Sequence, residues 1–221
     1  MSDAAIHAAV LEQRGVPHGF GTRASEPPPG TLRPAQVHGC RVAVVGPDAA
    51  LELGEADAVV STRPGAAVGV ATADCVPVLA ADESGRAVAA IHAGWRGLAA
   101  GVVEAAIAEL ARRGAGPERL VAAIGPRIGR CCYEVDAPVT EALAERYADA
   151  LAPCLSASRH GHAWLDLGAL VGAALMGAGV PEARVSLVND ACTRCDARRF
   201  HSYRRDAERA GRMVHWVAAI A

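Results

Sequence analysis

The sequence predicts an α+β fold in which mixed β-sheets are flanked by helices, in layers of the α/β/β/α type. Short apolar runs rich in Val outnumber the helical patterns. Several neighbouring runs are joined by links too short to hold a crossover helix, which favours mixed sheets over a doubly wound one. Residues of the AVILMFWYC class make up 52% of the chain and charged residues 21%, as in a compact globular protein. At 221 residues, we expect residues 1–221 to form a single domain.

The candidate strands are apolar runs bounded by turn-forming residues. They cover residues 41–45, 58–61, 67–71, 76–80, 87–91, 120–124, 185–188 and 213–220. A proline-rich stretch at residues 24–34 precedes them and predicts an extended surface loop. This loop is too short to separate two domains.

Three segments carry helical signals. Between residues 97 and 113, apolar side chains recur every four positions, and Gly114 is a suitable left-handed stop. A second helix is expected over residues 137–151. A third begins after an Asp166 N-cap, runs over residues 167–176 and ends near Gly179.

Charge and cysteine content exclude several classes of function. The formal net charge is −2, so no global field attracts a nucleic acid or an anionic membrane. None of the basic residues is Lys, which excludes Schiff-base and P-loop lysine chemistry. Seven cysteines, an odd number, fit a reducing compartment, and the first residues contain no long apolar run typical of a signal peptide or anchor. We therefore expect a cytoplasmic protein.

Three segments place reactive side chains at the ends of predicted strands: residues 36–39, 72–75 and 92–97. His92 ends an apolar run, and two following glycines would let the backbone approach a ligand. The thiolate of Cys75 with the imidazoles of His92 and His38 would suit zinc with an open fourth position. The spacing of these residues matches no local metal-binding finger, and a free Cys is often simply a core residue. Both interpretations stay open on spacing alone.

Six segments together resemble a known family. They are QVHG, TADCVPVL, IHAGWRG, IGPRIGRCCYEV, WLDL and CTRCDARRFHSYRRDAERAGR, in this order. They resemble the laccase-domain family, also called multicopper polyphenol oxidase-like or YfiH/PgeF-type. The resemblance implies that His38, Cys75 and His92 bind zinc, with copper as the alternative metal.

The resemblance also implies a set of activities. Members of this family are purine nucleoside enzymes that perform phosphorolysis of adenosine, inosine, guanosine and methylthioadenosine and deamination of adenosine. One relative is linked to the editing of peptidoglycan precursors. Laccase activity is not expected, because a single His-Cys-His site is not the multi-histidine cluster that dioxygen reduction needs.

The sequence departs from the family pattern at three places. A glycine- and serine-rich stretch is missing after Thr22-Arg23, so one wall of the pocket is expected to differ. Arginines occupy positions 127 and 130, where the family has Cys and Pro, which would alter substrate preference. Ala207 replaces a glycine at an expected turn.

Further candidate residues have both functional and structural interpretations. Arg96, at a strand-to-helix junction, is predicted to bind phosphate or ribose oxygens and assist catalysis, the alternative being a surface salt bridge. Arg204 and Arg205 are predicted to bind substrate or to be plain surface charges, and Gln36 is assigned to substrate binding. Asp74 is a candidate general acid or base, or a residue that supports the ligands.

Two cysteine pairs stay outside this set of catalytic and ligand residues. Cys192 and Cys195 have the spacing of half a zinc knuckle or of a redox pair. Because the sequence has no second CxxC, a structural or binding-loop role is favoured. Of the adjacent Cys131 and Cys132, at least one is expected in the core.

The resemblance therefore implies a zinc-dependent purine nucleoside phosphorylase with adenosine deaminase activity. Its expected partners are purine nucleosides and phosphate, with no nucleic acid and no membrane, and it is expected to be a monomer. One alternative is a cysteine hydrolase or peptidoglycan-precursor editing factor, with Cys75 as nucleophile and His92 as base. The other alternative is a non-enzymatic metal-binding accessory protein.

Overall fold

The computed structural model describes residues 5–46, 53–188 and 192–221. The α-helices in these ranges are α1 Ala9–Glu12, α2 Trp95–Ala100, α3 Val102–Arg112, α4 Ala137–Leu151, α5 Leu167–Gly177 and α6 Tyr203–Asp206. The strands are β1 His18–Gly19, β2 Val42–Val45, β3 Ala58–Ser61, β4 Ala67–Thr72, β5 Val76–Asp82, β6 Val88–Ala93, β7 Leu120–Ile124, β8 Glu134–Asp136, β9 Leu155–Ala157, β10 His162–Leu165, β11 Val185–Leu187 and β12 Met213–Ala218. None of these helices has the length and apolar character needed to cross a bilayer.

The strands form three sheets. The largest has the order β11-β7-β5-β6-β3-β2 and is mixed, with antiparallel pairing at its centre and parallel pairs at both edges. A second sheet, β1-β12-β4, and a third, β8-β10-β9, are antiparallel. The predicted class, an α+β fold with mixed sheets and flanking helices, is confirmed.

The large sheet is buried on both faces, because alternate residues of its central strands enter two different cores. In β5, Val78 and Ala80 pack with helices α2 to α5. The intervening Leu79 and Ala81 pack with β4, β12 and Leu11 of α1. This arrangement explains why β5, β6 and β7 appear in the sequence as continuous apolar runs and not as alternating ones.

The prediction of one continuous helix over residues 97–113 is wrong, because the chain forms two helices there, α2 and α3. Gly101 separates α2 from α3 and adopts φ +90°, a left-handed conformation that favours glycine. The guanidinium of Arg146 fills the space next to Gly101, and its Nε donates to the carbonyl of Ala99 at 2.9 Å. Arg146 therefore closes the end of α2 from a distant part of the chain.

The other two helix predictions are confirmed. Helix α4 spans the expected residues. Asp166 caps α5 by accepting a hydrogen bond from the backbone N–H of Ala169 at 2.9 Å. Beyond the expected strands, the structure adds β1, β9 and β10, whose sequences carry no long apolar run.

Residues 73–75 connect the second sheet, β1-β12-β4, to the large sheet, and we call this second sheet the small sheet. Strand β4 belongs to the small sheet and β5 to the large one, and only Ala73, Asp74 and Cys75 lie between them. Asp74 makes the change of direction with φ +93°. This crossover fixes Cys75 at the end of the central strand β5.

A buried histidine of the small sheet holds the chain that follows β1 against β12 and β4. His215 of β12 is fully buried, accepts the backbone N–H of Gly21 at Nδ1 (3.1 Å) and contacts the hydroxyl of Thr72 through Nε2 (2.9 Å). Burial lowers the pKa of His215 to about 3, and the positive charge of His92 acts in the same direction. The imidazole is therefore neutral in the folded protein.

We expect His215 to make stability fall as the pH is lowered. Below a pKa of about 6.5 the unfolded chain binds a proton that folded His215 rejects, so its contribution is lost between about pH 6.5 and about pH 3. Between pH 7 and pH 5 this costs about 2 kcal/mol of unfolding free energy. His215→Gln should flatten that dependence in urea denaturation, whereas His160→Gln, at an exposed site, should follow the wild type. Equal losses in wild type and His215→Gln would contradict the assignment.

Candidate metal centre

His92, Cys75 and His38 come together in the structure. Their candidate ligand atoms all lie within 4.8 Å of one another. His92 lies on β6 opposite Pro77 of β5, and Cys75 immediately precedes β5. The rings of His38 and His92 meet edge to face, with centroids 4.9 Å apart. The three side chains predicted as metal ligands thus share one site, although they are far apart in sequence.

Asp57 orients both histidines. Its carboxylate is fully buried, and its Oδ1 accepts the Nδ1–H of His92 at 2.8 Å. It also accepts three backbone N–H groups, from Val37 (3.2 Å), His38 (2.9 Å) and Gly39 (2.7 Å). Because Nδ1 of His92 is held by Asp57, Nε2 is the nitrogen that faces Cys75. A carboxylate behind a histidine is the usual support of a metal-ligating imidazole.

The loop that carries His38 is held in a strained conformation. His38 has φ +60°, and among the non-glycine residues of the described ranges only Asp74 and Ala207 share a positive φ. His38 and Asp74 both belong to this site. Strain of this kind persists where the surroundings enforce it, and the three N–H groups bound by Asp57 enforce it here.

Hydrogen bonding and charge set the protonation of the cluster. Burial alone would raise the pKa of Cys75, but hydrogen bonds with His38 and His92 and their positive charges lower it to about 6. Burial would lower the pKa of His92, but its bonds to Asp57 and Cys75 raise it to about 9. Burial also opposes ionisation of Asp57, yet His92 and the loop N–H groups lower its pKa. The site therefore favours a thiolate, which is the form of Cys that binds metals.

Two glycines of the HAGWRG segment permit this packing. A Cβ at Gly94 would lie 3.0 Å from the Sγ of Cys75 and 3.2 Å from Cδ2 of His38. A Cβ at Gly97 would lie 2.9 Å from the carbonyl oxygen of Gly39. Helix α2 can therefore approach the His38 loop only because both positions lack side chains.

The three ligands lie in the wall of an open cavity of about 610 Å³. Three aromatic side chains and three arginines are among the other lining residues. The cavity is lined by Gln36, His38, Ala71, Thr72, Ala73, Asp74, Cys75, His92, Trp95, Arg96, Ile128, Tyr133, Leu167, Tyr203, Arg204 and Arg212. A small organic molecule can occupy a cavity of this size and reach the three ligands.

Asp74 lines the cavity, but its carboxylate is already bound. It accepts hydrogen bonds from the hydroxyls of Thr193 and Ser202 and from the backbone N–H of Arg204. All three donors come from the segment that runs from Cys192 into α6. These contacts are those of a residue that supports the ligands, the alternative to a general acid or base.

Arg96, Arg204 and Gln36 all line the cavity, but the two arginines stack on aromatic rings, whereas the amide of Gln36 is bound to backbone. Arg96 lines the cavity and stacks over Trp95 at 4.4 Å, and among the described residues it has no salt-bridge partner. Arg204 also lines the cavity, and it stacks over Tyr133 at 5.1 Å. Gln36 lies at the cavity but binds the backbone of Ala71 through both its amide atoms.

Arg205 departs from its predicted role as a substrate ligand. Its guanidinium donates to the carbonyls of Thr193, Arg194 and Phe200 and to the carboxylate of Asp206. It is also absent from the residues of the described chain that line the cavity. With its donors committed in this way, Arg205 holds a loop together.

Sequence reasoning missed several residues of the site, among them Asp57 and Arg212. Asp57 precedes strand β3, and the only sign of its role is a carboxylate at the start of an otherwise apolar run. Arg212, before β12, lines the cavity from a segment that shows only a generic loop pattern. Neither is near His38, Cys75 or His92 in the chain.

A His-Cys-His cluster open to a cavity could hold a metal ion in an open site of the catalytic type, as distinct from a closed four-ligand site. Residues 21–220 match the family described as multi-copper polyphenol oxidoreductase laccase. The chain belongs to this family, and the resemblance seen in its sequence motifs is confirmed.

Several curated relatives have enzyme names. The chain is 37% identical over 191 residues to adenosine deaminase RL5 from an unknown prokaryotic organism, covering 82% of this chain and 72% of the relative. It is 44% identical over 184 residues to purine nucleoside phosphorylase SCO2081 of Streptomyces coelicolor, with the same coverage. It is 39% identical over 182 residues to purine nucleoside phosphorylase PA4543 of Pseudomonas aeruginosa, covering 82% and 71%.

Solved structures share the fold. The Bacillus licheniformis protein YfiH superposes with a TM-score of 0.84 at 27% identity, covering 94% of both chains. YlmD from Geobacillus stearothermophilus gives a TM-score of 0.82 at 26% identity, covering 97% of this chain and 94% of the other.

The role of Asp57 predicts the effect of Asp57→Asn. An amide offers one acceptor oxygen in place of two, so the His38 loop and the His92 ring lose part of their support. We expect the affinity of the His38, Cys75 and His92 site for zinc to fall about 10- to 100-fold in chelator competition. Zinc at this site is identified as the zinc that is lost in a Cys75→Ser variant. Asp82→Asn is the matched control, because Asp82 also accepts backbone N–H groups but lies on the β5–β6 turn. Unchanged affinity in a folded Asp57→Asn protein would contradict this role.

Proposed function

We propose that this protein is a zinc-dependent purine nucleoside enzyme that cleaves nucleosides with phosphate and also deaminates adenosine. The observation that carries the proposal is the cavity in which the His38, Cys75 and His92 cluster faces arginines and aromatic rings. The names of the relatives supply the reaction classes. We further propose that residues 1–221 act as one domain and that the protein is a monomer.

The donor set fits zinc. Two imidazoles and one thiolate provide the nitrogen and sulfur ligands that zinc prefers, and the fourth side opens to the cavity. A zinc ion held there would supply Lewis-acid chemistry towards water or a substrate oxygen. One His-Cys-His site does not suit the oxidase activity in the family's description, because dioxygen reduction needs a multi-histidine cluster. Within the described residues, the clusters of three or more potential ligands are this one and a group of four cysteines, and neither is a multi-histidine cluster.

The arginines suit phosphate. Arg96, Arg204 and Arg212 all line the cavity, and the nearest acidic residue in its lining, Asp74, already accepts three hydrogen bonds. The planar guanidinium of Arg96 is held over Trp95 and presents paired donors that match two oxygens of an anion. An oxygen of the bound phosphate would attack C1′ of the ribose, and the purine would leave with the electrons of the glycosidic bond.

The aromatic residues suit the purine base. Trp95, Tyr133 and Tyr203 line the same cavity, and Tyr203 is 47% exposed. A flat heterocycle gains stacking energy on such rings and needs no charged partner for it. The cavity therefore offers both kinds of group that the reaction needs, arginines for the phosphate and aromatic rings for the base.

The reaction class is tested by product analysis. With phosphate present, the zinc-loaded protein should convert inosine or adenosine to free base and ribose 1-phosphate, and adenosine without phosphate should slowly yield inosine. Cys75→Ser should lose both activities together with the zinc at this site, because one of only three ligands is removed. Chromatography and elemental analysis on the same preparations give both readouts. Zinc-loaded protein that turns over neither nucleoside would contradict the proposal.

Arg96→Lys separates the two reactions. An ammonium is a point charge and does not reproduce the planar fork, so phosphorolysis should fall by about 10-fold or more in kcat/KM. Deamination requires no phosphate and should change by less than about threefold, with zinc content unchanged. Arg119→Lys, at an exposed position away from the cavity, is the control. A parallel fall in both activities would place Arg96 in the support of the shared centre.

One observation favours a cysteine hydrolase as the second candidate. Asp57, His92 and Cys75 follow one another in hydrogen-bonding order, with a Cys75 pKa of about 6 and a His92 pKa of about 9, as in a thiolate–imidazolium pair. In that mechanism His38 is neither nucleophile nor base and only helps to hold Cys75 as a thiolate. His38→Ala should therefore abolish turnover at every pH if the centre binds metal, and should leave hydrolysis of an amide substrate measurable at alkaline pH if Cys75 is a nucleophile.

A further inference from the structure

A second group of cysteines lies outside the His38, Cys75 and His92 site. Cys131 and Cys132 belong to the turn before β8, and Cys192 and Cys195 begin the segment that leads to α6. The two pairs are about 60 residues apart in sequence, yet all four sulfurs lie within 4.8 Å of one another. A four-cysteine group therefore forms without a second CxxC motif, because the adjacent Cys131 and Cys132 supply the other two thiols.

We propose that these four cysteines bind a structural zinc ion. In a tetrahedral site with Zn–S bonds of about 2.3 Å, neighbouring sulfurs are about 3.8 Å apart. The sulfur of Cys131 lies 3.6 Å from Cys132, 3.6 Å from Cys192 and 3.7 Å from Cys195, and Cys132 lies 3.3 Å from Cys195. These separations approach the edges of such a tetrahedron and are far longer than the roughly 2.05 Å of a disulfide bond.

Ordinary core packing does not explain the cluster. Cys132 is buried, but Cys131 and Cys195 are exposed and Cys192 is half-buried. Exposed thiols gain nothing from one another's proximity as apolar groups, whereas a metal ion would join all four. Binding would release the thiol protons to solvent and leave four thiolate ligands.

Neighbouring donors are arranged as in a closed thiolate site. The backbone N–H of Gly129 donates to the Sγ of Cys192 at 3.3 Å, and Nη1 of Arg194 donates to the Sγ of Cys132 at 3.5 Å. Both contacts stabilise negative charge on sulfur. A site with four protein ligands and no open position supports folding and leaves the chemistry to the other centre.

The proposed ion would fasten two segments that border the cavity. Two backbone contacts already join these segments. Arg127 and Cys192 form a β-bridge, and the N–H of Thr193 donates to the carbonyl of Arg127 at 2.9 Å. Thr193, between the two cysteines of the CxxC, also donates to Asp74, the neighbour of Cys75. The same segment continues to Tyr203 and Arg204, which line the cavity. The zinc would thus position cavity residues without touching substrate.

Metal and thiol counting on the intact protein test the proposal. Wild type should carry about two zinc ions per chain, whereas Cys75→Ser and the double variant Cys192→Ser/Cys195→Ser should each carry about one. Cys154→Ala, which removes a buried cysteine outside both clusters, should keep about two. In cobalt-loaded Cys75→Ser, strong thiolate-to-cobalt absorption should remain.

A second measurement needs no variant of the cluster. Wild-type protein that is denatured with chelator but without reductant should show all seven thiols. The proposal is wrong if fewer thiols react, because disulfides would then occupy the cluster. It is equally wrong if Cys75→Ser retains no metal. Nucleoside turnover plays no part in these readouts, so failure here is distinct from failure of the proposed enzyme activity.

Discussion

The buried carboxylate of Asp57 connects the two histidines of the candidate metal centre to the sheet. It accepts three N–H groups of the loop at Val37 to Gly39 and one from the ring of His92. Four donors offset the cost of removing a charge from water, and without them a carboxylate at this depth would strongly destabilise the fold. The Asp57 carboxylate therefore sets the positions of His38 and His92, and with them the geometry of this wall of the cavity.

The two-sided core explains why the reactive groups lie at strand ends. The central strands of the large sheet are covered by helices on one face and by the small sheet on the other, so their middle positions are filled by Ala, Val, Leu and Ile. Polar side chains are tolerated only where these strands end. His92 and Cys75 lie at such ends on neighbouring antiparallel strands, which brings them together.

The sequence was sufficient for most elements and for the three central residues, the latter through the family motifs. Apolar runs and caps are local signals, and they located the main strands, α4 and α5. The break at Gly101 depends on Arg146, whose guanidinium arrives from another helix, so no local pattern reports it. The position of Asp57 behind His92 and the meeting of the two cysteine pairs likewise depend on contacts between distant segments. The hydrogen bonds of Arg205 to its own loop were likewise hidden, because charge alone does not reveal whether a guanidinium is already bound.

The crossover at Ala73 to Cys75 has a consequence for how this chain can vary. Its two neighbours, β4 and β5, are paired in different sheets, and side chains alternate between faces along each strand. One residue inserted between them would either turn every side chain of one strand to the wrong face or stretch the left-handed turn at Asp74. Variation in length should therefore accumulate in loops such as residues 24–34 and 158–161, whereas this junction should tolerate no change of length.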